Sequence, residues 1–274
     1  MIHCSLHDAA PAASNIVLFM AWWKKRKTQQ SSPVCVGAFT DVGRVRDENE
    51  DAFGQFPEEA EGDQLFIVAD GMGGHTRGRE ASTTTVEQVK QAYFDGRRGS
   101  VPDRLTRAFQ QANRQVYKMA SAVDGPGSMG TTGTALALVE GHAYIAHVGD
   151  SRAYRFGPEA SELLTKDHTM VEAMRREGLL TAEEARTHPR RGTLTRAIGV
   201  DPEVEVDIIE LGAPNTDDRF LLCSDGLAEI PDEELQDVVL NRKPQAACEE
   251  LVDRANERGG YDNATALVIC IKKP

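Results

Sequence analysis

At 274 residues, 40% hydrophobic and 27% charged, the chain can form one large domain or two small ones with a well-buried core. Its net charge of −12 argues against non-specific nucleic-acid binding, which needs a positive field, and no zinc-finger spacing or RNA-binding signature occurs. The five cysteines are scattered and odd in number with no Cys-x-x-Cys, a pattern of reduced thiols in a cytoplasmic compartment.

In chain order, residues 1–33 read as a leader. Within it, residues 16–23 (IVLFMAWW) are apolar and are followed at once by KKRK. Eight residues fall short of the roughly 20 that span a bilayer. A signal peptide would carry its charges before the apolar run, not after it. Two readings stand: a disordered leader, with Met20 as another feasible start, or a weak interfacial membrane anchor through Trp22, Trp23 and the basic run.

The domain is expected over residues 34–274. Short runs rich in Val, Ile, Leu and Ala predict strands: VCVGAFTDVG, LFIVAD, TALALVEG, AYIAHVGD, RAYRFG, FLLCSDG and ATALVICIK. The run from 135 to 157 reads as consecutive antiparallel strands joined by tight turns, with Asp150 in a hairpin turn. Amphipathic helices are predicted over 79–94, 103–123, 232–240 and 244–257. In the second, Leu105, Phe109, Ala112, Val116 and Met119 form one apolar stripe. A further helix over 169–177 stops at Gly178, and TAEE (181–184) fits a capping box that opens another. Antiparallel strand runs with few interposed helices indicate an α+β layered domain rather than a repeating βαβ fold.

Carboxylates recur at the strand ends. Asp70 ends LFIVA, Asp150 ends YIAHVG, Asp225 follows FLLCS, Asp262 precedes NATALVICI, and Asp51 follows Asn49 and Glu50. Each alone is explained by turn chemistry. Together they could meet on one rim of the sheet, where they would repel unless cations neutralise them. All the donors are oxygens, which favours Mg²⁺ or Mn²⁺ over Zn²⁺. Arg46 lies four residues before Glu50, and beside such a site its guanidinium could grip a phosphate in bidentate fashion. The competing reading of Arg46 is a surface ion pair with Asp47 or Glu48.

DENEDAFG, VADGMGGH, GTTGTAL, HVGDSRAYRF, LTKDHT, HPRRGTLTRAIG, LLCSDGL and GGYDNATALVI occur in the order and spacing of a known family. From about residue 36 to 271 the chain resembles the metal-dependent protein phosphatases of type 2C, in their bacterial single-domain branch. The resemblance implies a four-layer α-β-β-α sandwich, two antiparallel sheets flanked by helix pairs. It also implies hydrolysis of phosphoserine and phosphothreonine on proteins. By motif, Asp70 bridges two ions, Gly71 offers its carbonyl to one, and Asp225 and Asp262 ligate the other. Glu50 and Asp51 act directly or through water, Asp150 helps hold a weaker third ion, and Arg46 binds the phosphate. The implied mechanism is in-line attack by a metal-bridging water, with Arg46, Asp70 and Asp225 as the catalytic set.

The resemblance extends to partners: phosphoproteins, among them a cognate Ser/Thr kinase, met by a monomeric enzyme. One position departs from some relatives. Where they carry a histidine two residues after the bridging aspartate, this chain has Met72, so the general acid is open. His75 is a candidate, or it holds the glycine-rich loop. A mobile flap is implied over about 164–200. That range contains a basic cluster of Arg186, His188, Arg190, Arg191 and Arg196, which is either a solvated face or a recruiting surface for phosphopeptides. The alternative function is a pseudophosphatase acting as a phosphoprotein-binding module.

Overall fold

The computed structural model describes residues 34–57, 62–73, 76–95, 98–123, 125, 127–157 and 161–272. The leader and His75, and with them the anchor and general-acid expectations, lie outside the described residues. From its start the described chain runs β1 (Val34–Asp41), β2 (Ala52–Pro57), β3 (Gln64–Ala69) and the short β4 (Gly71–Met72). Helices α1 (Thr76–Asp95) and α2 (Val101–Val123) follow, then β5 (Gly130–Thr131), β6 (Gly133–Val139), β7 (His142–Val148), β8 (Arg152–Phe156) and β9 (Ser161–Leu163). Two short helices, α3 (Met170–Arg176) and α4 (Ala182–Thr187), precede β10 (Asp207–Gly212) and β11 (Arg219–Cys223). The chain closes with α5 (Asp232–Asn241), α6 (Pro244–Glu257) and β12 (Ala264–Ile271).

The strands build two five-stranded antiparallel sheets, ordered β1-β12-β11-β8-β9 and β10-β7-β6-β3-β2. Alternation along each strand explains the stacking. In β3, Leu65, Ile67 and Ala69 join the core formed with α1 and α2, while Phe66 and Val68 face the core between the sheets. In β12, Ala264, Ala266 and Val268 join the core formed with α5 and α6, while Leu267, Ile269 and Ile271 face the inter-sheet core. Strands buried on both faces read as continuous apolar runs, which is why LFIVA and ALVICI stand out in the sequence. Each large side chain buried this way stabilises the fold by about 1.5–3 kcal/mol. The helices supply matching stripes: Leu105, Phe109, Ala112 and Val116 of α2 are fully buried. The layers are those implied by the family resemblance.

Two expectations need correction. The 135–157 run is not one meander. β6 and β7 pair as predicted, but β8 belongs to the other sheet, next to β11. β7 already has β6 and β10 on its two edges, so the chain must leave the sheet at its end. Asp150 therefore sits where the chain crosses between sheets, not in a hairpin turn. The strands that the sequence did not signal include β2, β9 and β10, each at a sheet edge. Edge strands need no continuous apolar run: all three residues of β9 are exposed, and β10 is at most half-buried.

The capping box is present: Thr181 caps Glu184, whose side chain returns to the Thr181 backbone. Among the described residues, no helix is long and apolar enough to cross a membrane.

Candidate active site

β3 delivers Asp70 to one end of the sandwich, and the backbone there is locked by the threonines of GTTGT. The Asp70 N–H donates to Thr132 Oγ1 at 2.9 Å, and its carbonyl accepts from the Thr132 N–H at 2.9 Å and Thr131 Oγ1 at 2.7 Å. With its main chain so occupied, Asp70 has its carboxylate left for the cleft. The miniature sheet β4–β5 continues the tie just beyond. A Cβ on Gly71 would strike the carbonyl of Gly78 and come within 2.6 Å of the Glu50 carbonyl, so close backbone approach requires glycine there.

Glu50 is placed from the far end of the sequence. Its N–H donates to Asn263 Oδ1 at 2.8 Å, while Asn263 Nδ2 donates to the carbonyls of Val42 and Glu48, both at 2.9 Å. Ser82 Oγ donates to the Glu50 carbonyl at 2.5 Å. Asp51 points inward rather than onto the cleft wall. Its Oδ2 accepts from Ser224 Oγ at 2.7 Å and Thr265 Oγ1 at 2.6 Å.

Asp150 follows Gly149, whose φ of +107° suits glycine and turns the chain between sheets. His168 clamps this corner. The Gly149 N–H donates to His168 Nδ1 at 3.0 Å, and the His168 N–H donates to the Gly149 carbonyl at 2.8 Å. A ring nitrogen that accepts carries no proton, so His168 holds its proton on Nε2, facing Asp207 Oδ2 at 3.2 Å. The fully buried His147 ring lies against it, 4.7 Å between centroids, and burial lowers the His147 pKa to about 4. Asp225 opens a 3₁₀ turn over Asp225–Leu227 after β11. Asp262 Oδ1 accepts from the Asn263 N–H at 2.9 Å, and its Oδ2 takes Arg46 Nη2 at 2.7 Å.

Arg46, Glu50, Asp70, Asp150, Asp225 and Asp262 thus line one open cleft of about 290 Å³. Gly71 and Met72 share its wall, with Gly192 and Leu194 contributed from the 164–200 segment. Arg46 pairs across the cleft with Asp262 rather than with Asp47 or Glu48, and Glu48 instead meets Arg79 at 3.4 Å. The hydrogen bond to Asp262 raises the Arg46 pKa, so the guanidinium stays charged.

The carboxylates are poorly tolerated as anions. Burial, reinforced by Asp51, Asp225 and Asp150, pushes Asp70 well above its ordinary value. Burial raises Asp51 to about 7 and Asp150 to about 8, and raises Glu50 and Asp225 as well. For Asp225 the nearby Asp262 charge adds to burial in the same direction. Glu50 Oε1, Asp51 Oδ1 and Asp225 Oδ1 are buried without any hydrogen-bond partner. Those of Glu50 and Asp225 line the one cleft, and unpaired anionic oxygens there are what a cation would satisfy. Among the described residues, no three His, Cys, Asp or Glu side chains form a ready-made ligand group. An ion here would complete its shell with water, as Mg²⁺ commonly does.

Several supporting residues escaped sequence reasoning. Asn263, Ser224 and Thr265 set Glu50 and Asp51, Thr132 sets Asp70, and His168 sets the Asp150 corner. Asn263, Ser224 and His168 stand beside aspartates in the motifs, and that adjacency was the available signal, whereas Thr132 and Thr265 have no acidic neighbour. The basic cluster is also less uniform than its sequence suggests. Arg196 is bound to Asp207 at 2.6 Å and Glu205 at 2.9 Å, and Arg186 pairs with Glu183 at 3.0 Å. Arg190 and Arg191 have no carboxylate partner among the described residues and are exposed.

A cleft of hard oxygen donors with one fixed arginine defines the class: hydrolases that act on phosphate esters with divalent metals. Comparison with known proteins agrees. The family model for protein phosphatase 2C matches residues 44–268. A serine/threonine phosphatase, stp, of Listeria welshimeri is 36% identical over 236 residues, covering 84% of this chain and 93% of the relative. The crystal structure of the Mycobacterium tuberculosis serine/threonine phosphatase PstP/Ppp superposes with a TM-score of 0.78 at 31% identity, covering 88% of this chain and 99% of that one. The catalytic domain of PstP in complex with two manganese ions gives 0.76 at 30% identity, covering 88% and 99%. The chain belongs to the protein phosphatase 2C family and is a serine/threonine protein phosphatase.

Proposed function

We propose that this phosphatase hydrolyses phosphoserine and phosphothreonine on proteins with two divalent ions, Mn²⁺ or Mg²⁺, held in the sheet-end cleft. The observation that carries the reading is the pair of buried, partnerless oxygens on Glu50 and Asp225, both lining the cleft beside Arg46. When bound, the ions acidify water for attack on phosphorus and offset the charge of the phosphoryl oxygens.

The chain's own residues do the rest. Asp70, Asp225 and Asp262, with the Gly71 carbonyl, hold the ions. Glu50 and Asp51 support them directly or through water, and Asp150 contributes to a weaker third position. Arg46, half-exposed at the mouth, grips the phosphoryl oxygens and orients the ester for in-line displacement. Its present partner Asp262 keeps the guanidinium pre-aimed. The 164–200 segment serves as the flap over the cleft, through Gly192 and Leu194, and its unpaired Arg190 and Arg191 attract phosphorylated segments. The leader is a separate N-terminal segment, and the enzyme acts as a cytoplasmic monomer on phosphoproteins that include a cognate kinase.

The test is phosphate release from a phosphothreonine peptide and from p-nitrophenyl phosphate. Release should require Mn²⁺, stop with chelator, and fall at least about 100-fold in Asp225→Asn while the far-UV CD spectrum is kept. Full turnover in excess chelator would contradict the metal reading, and phosphopeptide binding without turnover would point to a pseudophosphatase.

A further inference from the structure

Cys35 and Cys270 stand directly opposite one another in the β1–β12 ladder. Opposed residues of an antiparallel pair project from the same face of the sheet. Here that face is the helix side, where Phe39 and Val268 also pack. Both thiols are half-buried and free. The hydrogen-bond direction fixes the kind of pair. Next to Cys270, the Ile271 N–H donates to the Asp218 carbonyl at 2.9 Å, and the Asp217 N–H donates to the Ile271 carbonyl at 3.0 Å. Ile271 therefore turns its main chain to the β11 side, and Cys270 turns its own to β1.

Hydrogen-bonded opposed residues have Cα atoms about 5.5 Å apart, inside the range of about 4.4–6.8 Å that a disulfide spans. Their Cβ atoms must draw in by about 1 Å. The pair lies one residue from the start of β1, an edge strand, where the backbone yields most easily. Two cations attend the sulfurs: Lys272 lies near Cys35, and Arg219 occupies the register position beside Cys270 on β11.

We infer that Cys35 and Cys270 form a reversible disulfide when the protein meets a peroxide, stapling the first strand of the domain to the last. The Cys35 sulfur attacks one oxygen of hydrogen peroxide, giving a sulfenic acid and one water. The Cys270 sulfur then displaces the hydroxyl as a second water, and the S–S bond forms. Two electrons pass from the two sulfurs to one peroxide, and both thiol protons end in water. Burial pushes the Cys270 thiol up despite Arg219 and Lys272, which disfavours it as the first nucleophile. A slightly strained, partly exposed bond is a labile one, so thiols reopen it. The staple sits at the opposite end of β1 from Asp41, whose neighbours lead to the cleft, and it does not depend on the phosphatase chemistry.

The test is non-reducing peptide mass spectrometry of the full chain before and after hydrogen peroxide. The expected product is a Cys35–Cys270 peptide pair, two hydrogens lighter than the sum of the free peptides and lost on treatment with dithiothreitol. Cys35→Ser and Cys270→Ser should each abolish it, while Cys223→Ser and Cys248→Ser, both buried elsewhere, should keep it. The oxidised protein should melt about 3–6 °C higher than the reduced one, with no such shift in Cys35→Ser. Thiols at 35 and 270 that stay free under peroxide, or a bond from either to Cys4 instead, would overturn the inference.

Discussion

The cleft and the segment over it are built on opposite principles. At the sheet ends, three of the acidic residues are held by partners far away in the sequence: Asn263 to Glu50, Thr265 to Asp51, Thr132 to Asp70. Residues 176–193 instead depend on near neighbours, with an ion pair three residues apart and a capping box, nearly all of it exposed. Only the base of that segment is tied deeply, through His168 to Gly149 and Arg196 to Asp207. The first construction ties the cleft to distant parts of the chain and so holds its geometry rigidly. The second leaves an exposed segment whose local contacts can rearrange at little cost to the sheet ends.

This contrast can be broken first at Asn263. Asn263→Ala removes three long-range hydrogen bonds and leaves the Glu50 N–H buried without a partner. Stability should fall by about 2–4 kcal/mol, or roughly 5–15 °C in Tm, with activity falling alongside. A melting curve and rate like those of the unaltered protein would show that the cleft does not rely on this bridge.

The second effect is smaller and concerns pH. Asp51 and Asp150, raised to about 7 and 8 in the folded chain, bind protons more tightly there than when unfolded. For a raised carboxylate, stability is fully present below its unfolded pKa and is lost as pH rises through the folded value. The chelated protein should therefore melt several degrees lower at about pH 9 than at about pH 5. Added Mn²⁺ should recover most of the loss at the higher pH. A Tm that rises with pH in chelator would mean that these carboxylates are not mutually crowded.

The smallest effect belongs to the exposed segment. Arg190→Glu with Arg191→Glu should lower kcat/KM for an acidic phosphopeptide about 5–10-fold through slower encounter. Turnover of p-nitrophenyl phosphate and the Tm should stay as they are. Equal loss on both substrates would place these arginines in the chemistry rather than above it.

Much of this division was legible in the sequence. Doubly buried strands read as apolar runs, and the aspartates at their ends mark the cleft. The helices of both flanks were bounded to within three residues because their stripes have a helical period. What could not be read followed from long-range partnership. Edge strands β2, β9 and β10 are only partly buried or exposed along most of their length and so lack the signal. The crossing at Asp150 looked like a hairpin because local turn chemistry is the same whether the next strand pairs in the same sheet or the other. Arg46 was a candidate for its neighbours Asp47 and Glu48, and nothing local to it announced Asp262, 216 residues away.

The central claim is that the crowded carboxylates are a site for two ions. Isothermal titration of the chelator-stripped protein with Mn²⁺ tests it most directly. The account predicts two ions bound per chain at the tight step, with that step lost or halved in Asp225→Asn. Absence of any saturable Mn²⁺ binding, or unchanged binding in Asp225→Asn, would contradict it.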